Sequence, residues 1–306
     1  MGWLAIVLAV VALALFGAWR YAMATNAVFL LDGADRVFGG TAGARLALRD
    51  SRYGPLAAQR IDVMVPDPAP AQPLPVLIFF HGGSWNSGSP GDYHFVGRTF
   101  ARAGYVVVLA GYRLTPDGIY PHMLEDGAKA VAWTRDNAAR YGGDPERVFL
   151  IGHSAGAYTA AMLSLERQWL GREGLPEGFV KGTVGLSGPY DFYPFTSDSA
   201  RAAFGHVPVP ETTQPIHFAR GDAQPLLLLT GDADTTVKPR NSKALARAVG
   251  NLGGAVETAI VPGADHADTA MKLAAPFNRD RRVLDPVLAF LSAHGGASAP
   301  VQAGGR

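Results

Sequence analysis

The chain has 306 residues, a formal net charge of +1 and 48% hydrophobic residues, a composition that suits a globular protein with a large buried core. The near-zero charge offers no electrostatic footprint for nucleic acid, so nucleic acid is excluded as a partner. The absence of cysteine excludes thiolate nucleophiles, disulfides and cysteine-based zinc sites.

The first 24 residues form an N-terminal apolar segment. Its run at residues 3–19 contains no charged residue and ends at Arg20. A run of this length lies between a signal-peptide core and a membrane-spanning helix. Because no Lys or Arg precedes the run, the sequence favours an uncleaved membrane anchor. The alternative is cleavage at an A-x-A-like site at residues 22–24, which would give a secreted or periplasmic protein.

Residues 25–58 are predicted to be a loop-rich connecting segment, followed by one α/β domain over residues 59–294. The residues from Arg60 to Val65 alternate enough to predict an edge strand. Short, continuous apolar runs then recur between turns, and this pattern fits strands buried on both faces of a parallel sheet. The runs are Val76–Phe80, Val106–Ala110, Val148–Ile151, Gly182–Leu186, Leu226–Leu229 and Val256–Val261.

Helical patterns alternate with these runs, which predicts the α/β class, with a mostly parallel central sheet and helices on both faces. Only the segment Gly188–Gln224 has room for a lid, so no large cap domain is expected. Residues 295–306 are rich in Gly and Ala and predict a disordered tail. The predicted helices are Phe95–Ala103, Met123–Tyr141, Ala155–Leu170, Asn241–Leu252 and Arg281–Ala293.

The strongest chemical signal is the pentapeptide Gly-His-Ser-Ala-Gly at residues 152–156. It follows the apolar run Val148–Ile151 and opens a predicted helix, the setting that a Gly-x-Ser-x-Gly nucleophile requires. The glycines remove side chains that would collide at a sharp turn, and the turn lifts the serine above the sheet edge. The backbone N–H of Ala155 can then stabilise a developing oxyanion. We therefore predict that Ser154 is a nucleophile.

A second glycine-rich motif, His-Gly-Gly-Ser-Trp at residues 81–85, directly follows the apolar run Val76–Phe80. Glycine lets main-chain N–H groups approach a substrate carbonyl closely. We predict that the N–H groups of Gly82 and Gly83 complete an oxyanion hole with that of Ala155. The motif precedes the serine motif and both lie at strand ends, an arrangement typical of enzymes with a serine nucleophile.

An acidic residue is predicted just after the run Leu226–Leu229. Asp232 and Asp234 both follow this strand, where a carboxylate can orient a histidine and stabilise its cation. Asp234 lies further past the strand end, where the loop can turn inward, so it is the preferred acid. Asp191, after an earlier strand, is the alternative. No cluster of other ligands lies near the two aspartates, so no metal site is predicted.

His266 lies in the loop after the last predicted strand, Val256–Val261, where a general base is expected. The order Ser154, Asp234, His266 matches the Ser–Asp–His order of α/β-hydrolases. His153 is predicted to pack beside the nucleophile. The remaining histidines outside the motifs are predicted to be surface or packing residues, namely His94, His122, His206, His217 and His294.

Together the motifs resemble the carboxylesterase branch of the α/β-hydrolase superfamily. The likeness covers about residues 60–293 and is greatest to the group of bacterial feruloyl-esterase-like enzymes, kynurenine formamidases and isoprenylcysteine methylesterases. Hormone-sensitive-lipase-like esterases are near relatives. The chain departs from many relatives at Ser84, where they have a third glycine, and at Gly111, where they have Asp. The motifs are those at residues 81–85, 111–116, 141–145 and 152–156.

The resemblance implies that Ser154 is the nucleophile, Asp234 the acid and His266 the base. It also implies that the oxyanion donors are Gly82, Gly83 and Ala155. It predicts a serine hydrolase that cleaves small or medium carboxylic esters through an acyl-enzyme, without cofactor or metal. Trp85, Tyr190 and Phe192 are predicted to line the pocket, on position alone. Two alternatives remain open. One is an aryl formamidase, amidase or acyltransferase on the same scaffold, and the other is a non-catalytic binding protein.

Overall fold

The computed structural model describes residues 28–297, together with Trp3. The rest of the predicted anchor at residues 3–19, the A-x-A-like site and residues 298–306 of the predicted tail lie outside the described residues. No helix in the described part of the chain combines the length and apolar character needed to cross a bilayer.

Eight strands form one sheet in the order β1-β2-β4-β3-β5-β6-β7-β8. β1 and β2 run antiparallel to their neighbours, and β3 to β8 are mutually parallel. The predicted mostly parallel sheet is therefore confirmed. The strands are β1 (Ala44–Arg52), β2 (Arg60–Pro66), β3 (Leu74–Phe80), β4 (Val106–Ala110), β5 (Gly143–His153), β6 (Val180–Leu186), β7 (Leu226–Gly231) and β8 (Val256–Val261).

Helices cover both faces of the sheet, as predicted. Along β3, Ile78 and Phe80 pack into one core and Leu77 and Phe79 into the other, because successive strand residues point to opposite faces. A continuous apolar run is what burial on both faces demands. The helices are α1 (Phe29–Gly39), α2 (His94–Arg102), α3 (His122–Asn137), α4 (Ala155–Leu165), α5 (Arg167–Arg172), α6 (Asp198–Phe204), α7 (Arg240–Asn251), α8 (Asp268–Met271) and α9 (Leu284–Ala293).

The predicted loop-rich segment at residues 25–58 instead contains α1 and β1. β1 pairs with β2, so the prediction that Arg60–Val65 forms an edge strand is wrong: β1 is the edge. Apolar periodicity did not predict α1 and β1, and the reasons are physical. β1 is a half-exposed strand with three arginines, and α1 directs its carboxylates inward and its apolar residues outward.

The long helix predicted over Ala155–Leu170 is interrupted at Glu166. This residue is extended, with φ −97° and ψ 105°, and its side chain accepts a hydrogen bond from the N–H of Gln168. A carboxylate that caps a new helix in this way ends the preceding one. The helix predicted over Met123–Tyr141 also ends early, at Asn137, the last residue of α3. Residues Ala138–Tyr141 form a 3₁₀ turn, and Gly142 after it adopts a left-handed conformation.

Between β6 and β7 the chain forms α6 and two short 3₁₀ turns, and no separate cap domain occurs within residues 28–297. The carboxyl ends of the parallel strands share one edge of the sheet. In open α/β sheets this edge is where ligands bind. It carries the loops that follow β3, β5, β7 and β8, which hold the predicted site residues.

Candidate active site

Ser154 lies in a sharp turn between β5 and α4. Its backbone adopts φ 54° and ψ −120°, a left-handed φ that side-chain-bearing residues rarely take. A Cβ on Gly152 would collide with the backbone of Gly156, and a Cβ on Gly156 would collide with the carbonyl oxygen of Phe80. The two glycines are therefore required by space, and the turn raises the serine at the start of α4.

Three side chains from separate loops meet at this edge of the sheet. The Oγ of Ser154 lies 2.9 Å from Nε2 of His266, and Nδ1 of the same ring lies 2.8 Å from Oδ2 of Asp234. The Asp234 side chain is fully buried, whereas 18% of the His266 side chain is exposed. The structure thus brings the three predicted residues into one hydrogen-bonded chain, in which the His266 ring is partly exposed.

Asp234 is held rigidly beneath His266. Its Oδ1 accepts hydrogen bonds from the backbone N–H groups of Thr236, at 3.0 Å, and Val237, at 2.8 Å. Burial raises the pKa of the Asp234 carboxyl, but the hydrogen bond and charge of His266 and the Val237 N–H outweigh burial and hold that pKa below its usual value. The group is therefore an anion that can stabilise a protonated imidazole.

The other two acid candidates have different contacts. Oδ1 of Asp232 accepts a hydrogen bond from the N–H of Gly263 at 2.6 Å and so ties the β7 loop to the β8 loop. Asp191 is linked through its backbone N–H to Oδ1 of Asn241. Of the three aspartates, Asp234 is the one that contacts the imidazole of His266.

Ser187 and Thr269 form a support that the sequence analysis missed. Ser187 follows β6, is fully buried and has φ 50°. Its hydroxyl contributes to lowering the pKa of Asp234 and accepts a hydrogen bond from Oγ1 of Thr269 at 3.1 Å. A serine at the carboxyl end of a central parallel strand was the available signal, because that position shares an edge with the nucleophile.

His153 connects the turn that holds Ser154 to the loop that holds His266. Burial, and next the nearby His266, lower the pKa of His153 to about 3, so the ring is neutral. Its Nε2 donates a hydrogen bond to the carbonyl oxygen of His266 at 3.1 Å. The predicted packing neighbour is thus also a hydrogen-bond donor, which sequence reasoning did not anticipate.

The loop after β3 curls over Ser154. A Cβ on Gly82 would lie 3.3 Å from the Cβ of Ser154 and 2.9 Å from Nδ1 of His153, so this glycine allows the close approach. Gly83 has φ 122°, and Ser84 and Trp85 follow with φ 53° and 61°. Such a run of left-handed residues stores strain, which is typical of functional loops.

His81 anchors this loop from below. Burial lowers its pKa to about 4, and its Nδ1 donates a hydrogen bond to the carbonyl oxygen of Gly82 at 2.8 Å. The Tyr112 ring stacks on it at 4.5 Å, and the Tyr112 hydroxyl donates to the His81 carbonyl. Burial raises the pKa of Tyr93, and a hydrogen bond from the Gly82 backbone opposes that rise.

The three predicted pocket residues have different surroundings. Trp85 is 5% exposed and stacks on Phe192 with ring centroids 5.8 Å apart. Tyr158 and Phe204 contact both rings edge-on. Tyr190, in contrast, is fully buried in a core cluster. The structure therefore places Trp85 and Phe192 in one aromatic cluster and Tyr190 in a different core cluster.

A cavity of about 800 Å³ lies on the other side of the His81 loop. Its lining includes several charged residues and contains none of Ser154, Asp234 and His266. An acyl group bonded to the serine would therefore not occupy it. Among the lining residues are Asp50, Arg60, Asp62, Arg113 and Asp117.

Proteins named as esterases are similar to this chain in sequence. Esterase LipQ of Mycobacterium tuberculosis is 32% identical over 265 residues, which are 79% of this chain and 61% of LipQ. A probable isoprenylcysteine alpha-carbonyl methylesterase of Oryza sativa subsp. japonica is 32% identical over 174 residues, 56% of this chain and 42% of that protein. The chain thus spans less than two thirds of the length of either relative.

Solved structures share the fold at low sequence identity. Esterase B from Lactobacillus rhamnosis matches with a TM-score of 0.73 and 18% identity, over 92% of this chain and 95% of that chain. Esterase 2 of Thermogutta terrifontis matches with a TM-score of 0.68 and 23% identity, over 84% of this chain and 96% of that chain. The BD-FAE family model matches residues 61–249, more than half of the chain. The chain has the α/β-hydrolase fold and belongs to the BD-FAE family.

Proposed function

We propose that the chain is a serine hydrolase that cleaves carboxylic esters through an acyl-enzyme. The observation that carries the proposal is the hydrogen-bonded chain from Ser154 Oγ through His266 to Asp234, with distances of 2.9 and 2.8 Å. Each link has the length of a formed hydrogen bond, and the acid is fully buried while the His266 ring is partly exposed. The activities named for the relatives agree with this chemistry.

In the first step His266 accepts the hydroxyl proton of Ser154 as the oxygen attacks the ester carbonyl. The buried Asp234 stabilises the imidazolium that forms and holds the ring orientation. The imidazolium then gives its proton to the leaving alcohol, and the acyl group stays on the serine. Water, activated by the same ring, hydrolyses the acyl-enzyme and restores the serine.

The oxyanion is expected to lie between the start of α4 and the curled loop after β3. The N–H of Ala155, at the first position of the helix, and that of Gly83 are the proposed donors. The N–H of Gly82, in the same loop, stays a predicted third donor. Ser84, the next residue along the loop, supplies a further candidate N–H that the sequence analysis did not name.

The substrate is proposed to be a small or medium ester. Phe192, which is partly exposed and stacks on the buried Trp85, offers an apolar surface for the acyl or alcohol group of the substrate. Only α6 and short turns occupy the segment between β6 and β7, which leaves little chain to close over the serine. We therefore propose a small-molecule ester as the partner, bound at a site that no large cap covers.

The test is labelling by a fluorophosphonate probe, together with hydrolysis of p-nitrophenyl acetate. The wild-type chain should be labelled and turn over, whereas Ser154→Ala should lose labelling and about 10⁴-fold or more of kcat. Circular dichroism of the variant controls for folding. Labelling of a folded Ser154→Ala chain, or turnover close to that of the wild type, would show that another residue is the nucleophile.

We also propose that residues 3–19 attach the chain to a membrane. The support is the uncharged, apolar composition of this run. Fractionation of cells that express the full chain should recover it with membranes after a high-salt wash. An N-terminus found just after residue 24, in a chain released from membranes, would establish the signal-peptide alternative instead.

A further inference from the structure

Helix α1 packs onto the fold through its charged side. Asp32 and Asp35 are buried and form ion pairs with the buried Arg98, each at 2.5 Å. Asp35 also accepts a hydrogen bond from the N–H of Ala275 at 2.8 Å. A buried pair of this kind cannot be broken cheaply, because each charge left alone would be desolvated without compensation. These contacts therefore fix the rotation of α1 about its axis.

The opposite side of α1 is apolar and exposed. Phe29 is 60% exposed, Leu30 50%, Val37 77% and Phe38 67%, and we call these four residues the α1 apolar face. An amphipathic helix on a globular surface normally directs this side to the core. Here the fixed ion pairs prevent that rotation, so the exposed aromatic and aliphatic side chains form a surface that needs another partner.

A basic cleft borders this face. Arg36 lies at the edge of α1, and Arg45 and Arg49 are exposed on the neighbouring strand β1. The three arginines line one cavity of about 520 Å³ together with Asp67, and we call them the basic cleft. Arg36 also pairs with Asp32 at 2.8 Å, so binding of an anion falls chiefly to Arg45 and Arg49. Guanidinium groups are suited to bind phosphate oxygens in pairs of hydrogen bonds. The surface therefore combines apolar side chains with adjacent anion-binding groups.

We propose that the α1 apolar face inserts into the interfacial region of an anionic lipid bilayer, with the basic cleft on the lipid phosphates. A helix with aromatic and aliphatic residues on one side, next to basic residues, has the chemistry of an interfacial membrane contact. The apolar run at residues 3–19 precedes α1 in the sequence. A bilayer that held that run would also bring the α1 apolar face to its surface.

Size and charge make a second copy of the chain a poorer occupant. Stable protein interfaces bury about 800 Å² on each partner. Four side chains on one 11-residue helix provide less than this. Two copies related by a twofold axis would also bring their basic clefts toward one another. An anionic bilayer satisfies both the apolar residues and the arginines.

The absence of cysteine in the chain allows a direct test. Val37→Cys, on the α1 apolar face, is labelled with an environment-sensitive fluorophore in the full chain. Leu252→Cys, a matched apolar position that is 58% exposed after α7 at the opposite edge of the sheet, is the control. Each protein is mixed with vesicles of phosphatidylcholine and phosphatidylglycerol in equal parts, with or without doxyl-labelled lipid as the quencher.

The label at Val37→Cys should shift to shorter wavelength with these vesicles, and doxyl lipid should quench it about twofold or more relative to the Leu252→Cys label. Vesicles of phosphatidylcholine alone should give a smaller effect, as should Arg45→Gln with Arg49→Gln. Equal quenching at both positions in chains that sediment with vesicles would overturn the proposal. A shift that depends on protein concentration without lipid would assign the face to a second copy instead.

A label already shielded without vesicles, and not quenched with them, would assign the face to another segment of the same chain and would likewise overturn the proposal. None of these measurements depends on ester hydrolysis. Their outcome is therefore separate from that of the proposed function.

Discussion

Acidification should destabilise the fold because two buried histidines must remain uncharged in it. Burial lowers the pKa of His81 to about 4 and that of His153 to about 3. The ordinary pKa of histidine is about 6.5. Below that value the unfolded chain binds a proton at each residue that the folded chain does not bind. Stability is therefore lost as the pH falls from about 6.5 towards the folded pKa values.

The size of the effect follows from the two pKa values. Between pH 7 and pH 5, each histidine should remove about 2 kcal/mol from the free energy of unfolding. The loss ends near the folded pKa, since below it both states bind the proton. Asp234 does not contribute in this window, because its lowered pKa makes its stabilisation disappear only below about pH 4.

The assay is urea unfolding followed by far-UV circular dichroism at both pH values. His153→Gln should reduce the loss between pH 7 and pH 5 by about 2 kcal/mol relative to the wild type, whatever its effect at pH 7. His217→Gln, at an exposed position, controls for removal of any one histidine. If the His153→Gln chain loses as much stability on acidification as the wild type, burial of a neutral His153 is not the cause.

Three further changes test the site and its supports. Asp234→Asn should lower kcat for p-nitrophenyl acetate by about 10³- to 10⁴-fold with the fold retained, and a loss below tenfold would remove Asp234 from the site. Gly156→Ala should destabilise the chain by about 1–3 kcal/mol, because its Cβ meets the Phe80 carbonyl, and an unchanged Tm would contradict this. Arg98→Met should cost about 3–5 kcal/mol in urea unfolding, since it leaves Asp35 buried without a cation and Asp32 paired with Arg36 alone; a neutral result would mean that α1 detaches easily.

Local patterns determined much of this protein. The buried runs of the parallel strands, the alternation with helices and the turn at residues 152–156 each depend on neighbours in the chain, so the sequence alone predicts them. Ser154 and His266 could be named for the same reason: each follows directly after a recognisable strand. The shared edge of a parallel sheet then brings their loops together.

Tertiary structure decided the features that local pattern could not encode. The sequence predicts a loop at α1 because the residues that face inward are acidic. These carboxylates are buried because Arg98, 63 residues from Asp35, lies opposite them. β1 is part of the sheet only through its pairing with β2. α1 depends on Arg98, which is distant in sequence, and β1 is half-exposed and rich in arginine, so neither shows the continuous apolar run of the buried strands.

The same distinction holds within the site. Asp232 and Asp234 differ in sequence only by position, yet the loop path directs one to Gly263 and the other to His266. The hydrogen bond from His153 to the His266 carbonyl joins residues 113 positions apart. Residue type and spacing determine which groups are available for chemistry, whereas the direction of each loop in three dimensions determines which of them meet. That direction depends on packing over the whole fold.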